Sequence, residues 1–279
     1  MRASFADLLA EAGARGAAVG AFTCYNLETA FGVVRAAEER GRGVILLLGE
    51  KSFRGPGGGI LAAALVAAAE KAAVPACVQL DHVSDLTVIE AALGCGIGAV
   101  MADGSTLPLE ENIGFVRAAA ELAREAGGHV EAELGGILGD EDVARAVAAG
   151  ALTDPDEAVD FVARTGAACL AVSIGNVHGV YREPPALDWP RLEAIRKRVA
   201  VPLSLHGASG LPDEVVSRAI ALGIAKVNLN LELRRRYLDV TAELVEDLLP
   251  GARLLDLNLA QADAVASVVA AKLDLYEGP

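Results

Sequence analysis

The chain has 279 residues, 53% of them hydrophobic, enough to bury a large core as one α/β barrel or as two ordinary domains, and no linker divides it. Its formal charge of −14 excludes a general attraction to nucleic acid or anionic membrane, so an anionic small molecule would need a dedicated pocket. Cys24, Cys77, Cys95 and Cys169 are far apart, lie in or beside apolar stretches and form no CxxC pair, which predicts a reduced, cytoplasmic protein.

In chain order, the first nine residues read as an amphipathic helix rather than a signal peptide. A short apolar strand at 17–22 leads into a helix pattern at 27–40 that stops at Gly41. The alternation then repeats, with strands at 44–48, 75–80 and 99–102 followed by helix patterns at about 58–73, 84–93 and 108–126. The alanine-rich apolar stretch from Ile60 to Ala69 is too short to span a bilayer, which needs about 20 residues. A strand at 129–134 opens the second half and runs into the loop Gly135-Gly-Ile-Leu-Gly-Asp140-Glu141-Asp142. Thr153-Asp154-Pro155 is a helix-start signal for 155–165. Strands at 168–174, 203–206 and 224–229 complete the set, with helices at about 188–198, 212–222 and 232–248. The segment at about 252–275 reads as a further helix, packed on the outside or on a partner.

Eight apolar strands alternating with eight helices predict a (β/α)8 TIM barrel, a single domain over 1–279 with additional N- and C-terminal helices. An open doubly wound sheet is the structural alternative. In a barrel, chemistry belongs at the carboxyl ends of the strands. Those ends carry Asp81-His82, Asp103-Gly104-Ser105, Glu131-Ala-Glu133, Asn176-Val-His178-Gly179, His206, and Asn228 with Asn230. Three of the four histidines fall there, and three neutral imidazoles suit zinc while leaving a position for a substrate oxygen. Each alone also reads as a hydrogen-bonded loop histidine. His129 lies at the opposite end of its strand and keeps that reading.

Asp81 adjoins His82, where a carboxylate either exchanges a proton with a substrate hydroxyl or orients a metal ligand. Glu133 and Asp103 read equally as supporting and as reacting carboxylates. The glycines before Asp140, Glu141 and Asp142 suggest a mobile loop that brings an acid to the site, with a solvated acidic turn as the alternative. The Gly207-Ala208-Ser209-Gly210 turn and the Asn228-Leu229-Asn230 segment each precede a helix, the setting in which barrels hold phosphate on bared N–H groups. Lys226, on the last strand, offers a Schiff-base alternative.

These residues sit in longer motifs: Leu80-Asp81-His82, Asp103-Gly-Ser105-Thr-Leu-Pro-Leu-Glu-Glu-Asn112, Glu131-Ala-Glu133-Leu-Gly135-Gly136, Leu152-Thr-Asp-Pro155, Gly175-Asn-Val-His178-Gly179-Val-Tyr181, His206-Gly-Ala-Ser209-Gly210 and Lys226-Val-Asn228. Over nearly its whole length the chain resembles the class II, zinc-dependent ketose-bisphosphate aldolases, the family of fructose- and tagatose-bisphosphate aldolases. The resemblance implies that His82, His178 and His206 hold one catalytic Zn2+ and that Asp81 is the acid/base at the substrate's C4 hydroxyl. It implies that Glu141 moves the proton on the dihydroxyacetone phosphate carbon, that Glu133 supports the metal, and that Asp103 lies near an alternative divalent-metal position. Gly179, Arg182, Gly207, Ala208, Ser209, Asn228 and Asn230 would hold the ketose phosphate, with a monovalent cation, Na+ or K+, on backbone carbonyls nearby. It further implies a homodimer or homotetramer acting on a phosphorylated sugar.

The chain also departs from the family. Leu231 stands where a phosphate-binding hydroxyl is usual, Ala208 where the second glycine of His-Gly-Gly-Ser-Gly is, Arg182 for lysine, Thr23 for asparagine, and Gly49-Glu50 where a serine is common. These changes leave open a different ketose, singly phosphorylated or unphosphorylated, and a non-catalytic sugar-phosphate binder.

Overall fold

The computed structural model describes residues 1–137, 139, 146–147, 150–181 and 186–278. Its strands are β1 (Val19–Thr23), β2 (Val44–Gly49), β3 (Ala76–Val83), β4 (Ala99–Ala102), β5 (His129–Leu134), β6 (Ala146–Val147), β7 (Cys169–Val172), β8 (Val180–Tyr181), β9 (Leu203–Leu205) and β10 (Ile224–Leu229). Eight of them close into a parallel barrel in the order β1-β10-β9-β7-β5-β4-β3-β2, while β6 and β8 pair with each other outside it. The expected (β/α)8 architecture is the one present.

The helices are α1 (Phe5–Ala14), α2 (Leu27–Arg40), α3 (Glu50–Arg54), α4 (Gly58–Lys71), α5 (Leu86–Gly94), α6 (Leu109–Glu125), α7 (Pro155–Thr165), α8 (Trp189–Arg198), α9 (Asp213–Ala221), α10 (Leu231–Leu248) and α11 (Leu254–Leu275). Their ends follow the sequence signals. Asn26 and Thr29 form a capping box at the start of α2, and Gly41 closes it in the left-handed conformation. Asp154 caps α7, with Pro155 at its first position.

Barrel strands are covered on both faces, so β2 reads Val-Ile-Leu-Leu-Leu rather than alternating with polar residues. At the amino-terminal end, Val19 and Ala21 of β1, Ile45 and Leu47 of β2 and Cys77 of β3 pack against Phe5, Leu8 and Leu9 of α1. Burying each large side chain of this plug stabilises the fold by roughly 1.5–3 kcal/mol. Ser4 caps α1, and its hydroxyl lies 3.0 Å from His129 Nε2, which ties that histidine to the closed end. The carboxyl end is left open for the site.

The two-residue strands β6 and β8, the helix α3 and the far end of β3 were not expected. The five residues of α3 are too few to show periodicity; Arg54 holds this turn to Glu50 at 2.7 Å and to Asp85 at 2.9 Å. β3 also runs past Leu80 to Val83, with a register shift against β4 between those two residues. Finally, α11 is long and apolar enough to cross a membrane by length and composition. One face of it, with Val265, Val269 and Leu273, is nevertheless buried in the core, and Asp263 and Asp274 on it pair with Arg35 and Arg40 of α2.

Candidate active site

The carboxyl ends of the barrel strands surround a cavity of about 770 Å³. Asp81 and His82 would point to opposite faces of a regular strand. The irregularity in β3 changes this: His82 has φ +50°, a conformation that costs a non-glycine residue of order 1–3 kcal/mol, and both side chains line the cavity. The local strain serves the site.

His82, His178 and His206 converge from β3, the loop after β7 and the end of β9. Each offers a ring nitrogen, and these lie within 4.8 Å of one another. Ring centroids are 4.8 Å apart for His82 and His178, 4.9 Å for His82 and His206, and 5.9 Å for His178 and His206. His206 Nε2 meets the Glu131 carboxylate at 2.8 Å, so Nε2 carries the proton and Nδ1 turns its lone pair toward His82 Nε2, 3.0 Å away. Burial, and next the neighbouring rings, lowers the His178 pKa well below the ordinary histidine value. Burial also lowers His206, outweighing the opposing pull of Glu131. Both are kept as neutral imidazoles.

The carboxylates form a second group around His82, which with Asp103 and Glu133 offers another cluster of converging ligand atoms. Asp103 Oδ2 lies 2.8 Å from His82 Nδ1, and its other oxygen accepts from the hydroxyl and N–H of Ser105. Burial would raise Asp103, but the hydrogen bond and charge of His82 hold it well below the usual carboxylate range. Glu133 is pushed up to about 8 by burial and then by the charge of Asp103. Its Oε1 accepts from the Ile137 N–H at 3.1 Å, and its buried Oε2 has no hydrogen-bond partner among the described residues. Asp81 accepts from the Asn228 amide, 3.2 Å from Oδ2 and 3.5 Å from Oδ1.

Beneath these groups lies a layer whose connections sequence reading did not give. Glu131, Gln79 and Lys226 are fully buried inside the barrel. Gln79 Nε2 donates to Glu131 Oε2 at 2.6 Å, and Lys226 Nζ lies 2.8 Å from the same oxygen. Burial would lower Lys226, but the charges of Glu131 and Asp81 raise it above its ordinary value. A protonated, ion-paired amine is no nucleophile, which removes the basis for the Schiff-base alternative.

Two side chains stitch the loops that carry the histidines. Asn176 accepts from the Ile174 N–H and donates to the His206 carbonyl at 3.0 Å. Tyr181 Oη accepts from the Val177 N–H and donates to the Gly207 carbonyl at 2.8 Å. Gly207 has φ +63°, and a Cβ there would overlap the Val177 carbonyl. Gly207→Ala is therefore expected to destabilise the chain by roughly 2–3 kcal/mol, about 4–10 °C in thermal midpoint by calorimetry. An unchanged midpoint would mean that this turn relaxes freely.

A small recess beside the histidines is lined by His178, Gly179, Gly207, Ser209, Asn228, Asn230 and Leu231. It gathers five of the seven residues expected at a phosphate. Ser209 Oγ accepts from the N–H groups of Asn230 at 3.4 Å and Leu231 at 3.2 Å, capping the start of α10. Ala208 is instead buried in the apolar cluster and is not among the lining residues. Glu141 and Arg182 lie outside the described residues.

The comparisons with known proteins agree with this geometry. The family model for "Fructose-bisphosphate aldolase class-II" matches residues 3–278. A D-tagatose-1,6-bisphosphate aldolase subunit, GatY, from Klebsiella oxytoca is 41% identical over 242 residues, covering 86% of this chain and 85% of the relative. Among solved structures, the YdjI aldolase from Escherichia coli K12 is similar with a TM-score of 0.87 and 32% identity, over 99% of this chain and 97% of that one. A candidate fructose-1,6-biphosphate aldolase from Coccidioides immitis gives a TM-score of 0.89 and 32% identity, over 97% and 94%. With a family match over almost every residue and a barrel mouth of this composition, the chain belongs to the class II fructose-bisphosphate aldolase family.

Proposed function

We propose that the chain is a zinc-dependent aldolase that reversibly cleaves a phosphorylated ketose of the fructose 1,6-bisphosphate type, between C3 and C4, into dihydroxyacetone phosphate and an aldehyde. The observation that carries this reading is the convergence of three histidines beside Asp81 in one cavity at the barrel mouth. The donor set fits zinc: His178 and His206 are held neutral, His206 presents Nδ1, and Glu133 keeps a buried oxygen without a hydrogen-bond partner among the described residues. A zinc ion held by His82, His178 and His206 would supply Lewis-acid stabilisation of negative charge on the ketose oxygens.

The chain's own residues supply the rest. Asp81, oriented by the Asn228 amide, takes the proton of the C4 hydroxyl as the C3–C4 bond breaks. Glu141 is assigned the proton on the dihydroxyacetone phosphate carbon. The recess at the start of α10 takes the ketose phosphate through Gly179, Gly207, Ser209, Asn228 and Asn230, with Arg182 also assigned to the phosphate and Na+ or K+ to nearby carbonyls. The reacting carbons then lie between the histidines and Asp81, and the aldehyde half extends into the larger cavity. The clustering of Asp103, Glu133 and His82 supports a second divalent-metal position there.

The test is an aldol screen with zinc-loaded protein, setting dihydroxyacetone phosphate and dihydroxyacetone against several aldehydes. Carbon–carbon bond formation with the phosphorylated donor is expected; bond formation with dihydroxyacetone alone would indicate an unphosphorylated ketose. Full zinc occupancy without any product would favour the second reading, a sugar-phosphate binder, which Leu231 in the recess keeps open. Leu231→Thr places a hydroxyl in the recess and is expected to lower KM for a phosphorylated ketose roughly tenfold, the worth of one hydrogen bond to a charged group. An unchanged KM would mean that this side chain does not face the phosphate.

Self-assembly into a dimer or tetramer belongs to the same reading. Leu238 and Val245, spaced to share one side of α10, Leu249 just after it, and Leu254, Leu255 and Leu259 of α11 are exposed. Light scattering should give a mass of two or four chains. The four unpaired cysteines support a cytoplasmic setting.

A further inference from the structure

Lys226 has no role in the chemistry above, yet it is wholly buried at the centre of the site's supporting layer. Its Nζ lies 2.8 Å from Glu131 Oε2 and donates to Asn228 Oδ1 at 2.5 Å. Each partner leads to a different functional group. Glu131 reaches His206 Nε2 through its other oxygen at 2.8 Å. Asn228 turns its NH2 toward Asp81 Oδ2 at 3.2 Å and lies 3.4 Å from His206 Nδ1. The ammonium stands where the two chains fork.

Donor chemistry gives this arrangement its direction. An ammonium donates and cannot accept, so the oxygen of Asn228 must face Lys226 and its NH2 must face Asp81. The flipped amide would set NH2 against ammonium and carbonyl against carboxylate, two repulsive contacts at short range in a dry interior. On the other branch, Lys226 and Gln79 both hold Glu131 Oε2, leaving Oε1 for His206. A buried lysine is costly unless it is paired and hydrogen-bonded, and this one is both.

We propose that Lys226 is a positioning residue whose ammonium clamps Glu131 and Asn228 together and so fixes the placement of His206 Nδ1 and of Asp81. The catalytic half of this role rests on the aldolase reading; the metal-holding half does not.

The test replaces Lys226 in two backgrounds, because Lys226→Met alone strands the Glu131 charge in the interior and can prevent folding. Lys226→Met is made in the parent chain and in Glu131→Gln, where the stranded charge is gone. Against the same background, the folded variant should lose at least about tenfold in kcat with KM within roughly threefold, and bind zinc about 10–100-fold more weakly in chelator competition. A merely structural lysine would lower the thermal midpoint and leave both quantities within about threefold, which would overturn the proposal. A measurement on the unaltered chain stands beside the variants: NMR of 15N-lysine-labelled protein should show one ammonium protected from solvent exchange, and a neutral amine would overturn it. A parent chain that binds zinc but cleaves no ketose phosphate would sink the aldolase reading, while the zinc-affinity comparison would still decide this one.

Discussion

Replacing Asp81 with alanine is expected to lower turnover roughly 10²–10⁴-fold, the range for loss of a positioned general acid/base, while bound zinc stays near the parent level. The reason lies in where the carboxylate stands. Asp81 is almost completely buried, lines the cavity, and is held by the Asn228 amide rather than by any of the three histidines. Its removal leaves His82, His178 and His206 with their present partners, notably His82 on Asp103 and His206 on Glu131. Turnover and metal content should therefore separate. Metal analysis beside steady-state cleavage decides the matter: loss of zinc in step with activity would make Asp81 a metal-supporting residue instead of an acid/base.

His206→Ala is expected to do the opposite, losing metal and activity together. Zinc bound with an apparent free energy of about 10 kcal/mol or more, shared among three histidine ligands, loses about 3 kcal/mol with one of them, roughly 10²-fold in affinity. The fold should survive, because Glu131 keeps Lys226 at 2.8 Å and Gln79 at 2.6 Å and is not left as an unpaired buried charge. Chelator competition with circular dichroism tests both parts. Parent-level zinc affinity in a folded His206→Ala chain would mean that the ion sits elsewhere, with the His82, Asp103 and Glu133 cluster as the place to look.

Much of the architecture is legible from pattern because parallel barrel strands are buried on both faces, so 44–48 and 99–102 stand out as apolar runs. The histidines are legible for a different reason. Histidine is scarce in this chain, and three of its four copies fall at carboxyl ends of strands or in the loops just beyond them. What escapes the sequence depends on register across strands. Gln79, Glu131 and Lys226 sit on β3, β5 and β10, and only closure of the barrel brings their polar atoms within hydrogen-bond reach. Read alone, Lys226 on an apolar strand suggests a depressed pKa and a nucleophile; with Glu131 and Asp81 around it, the direction reverses. The left-handed backbone at His82 is equally invisible to periodicity, since strand alternation predicts that Asp81 and His82 diverge.

Ala208 illustrates a limit of reading by adjacency. It stands between Gly207 and Ser209, both of which line the recess, yet its methyl group packs into the core. Leu231, noticed only as a missing hydroxyl, does line the recess.

The most direct test of the zinc-dependent aldolase reading is the rate of ketose-phosphate cleavage by metal-stripped protein as zinc is added back, with borohydride trapping run in parallel. Cleavage should be absent without metal, rise in proportion to zinc and level off near one equivalent per chain, and borohydride should trap no substrate on Lys226. Cleavage that persists in stripped protein and becomes covalently trapped would contradict it.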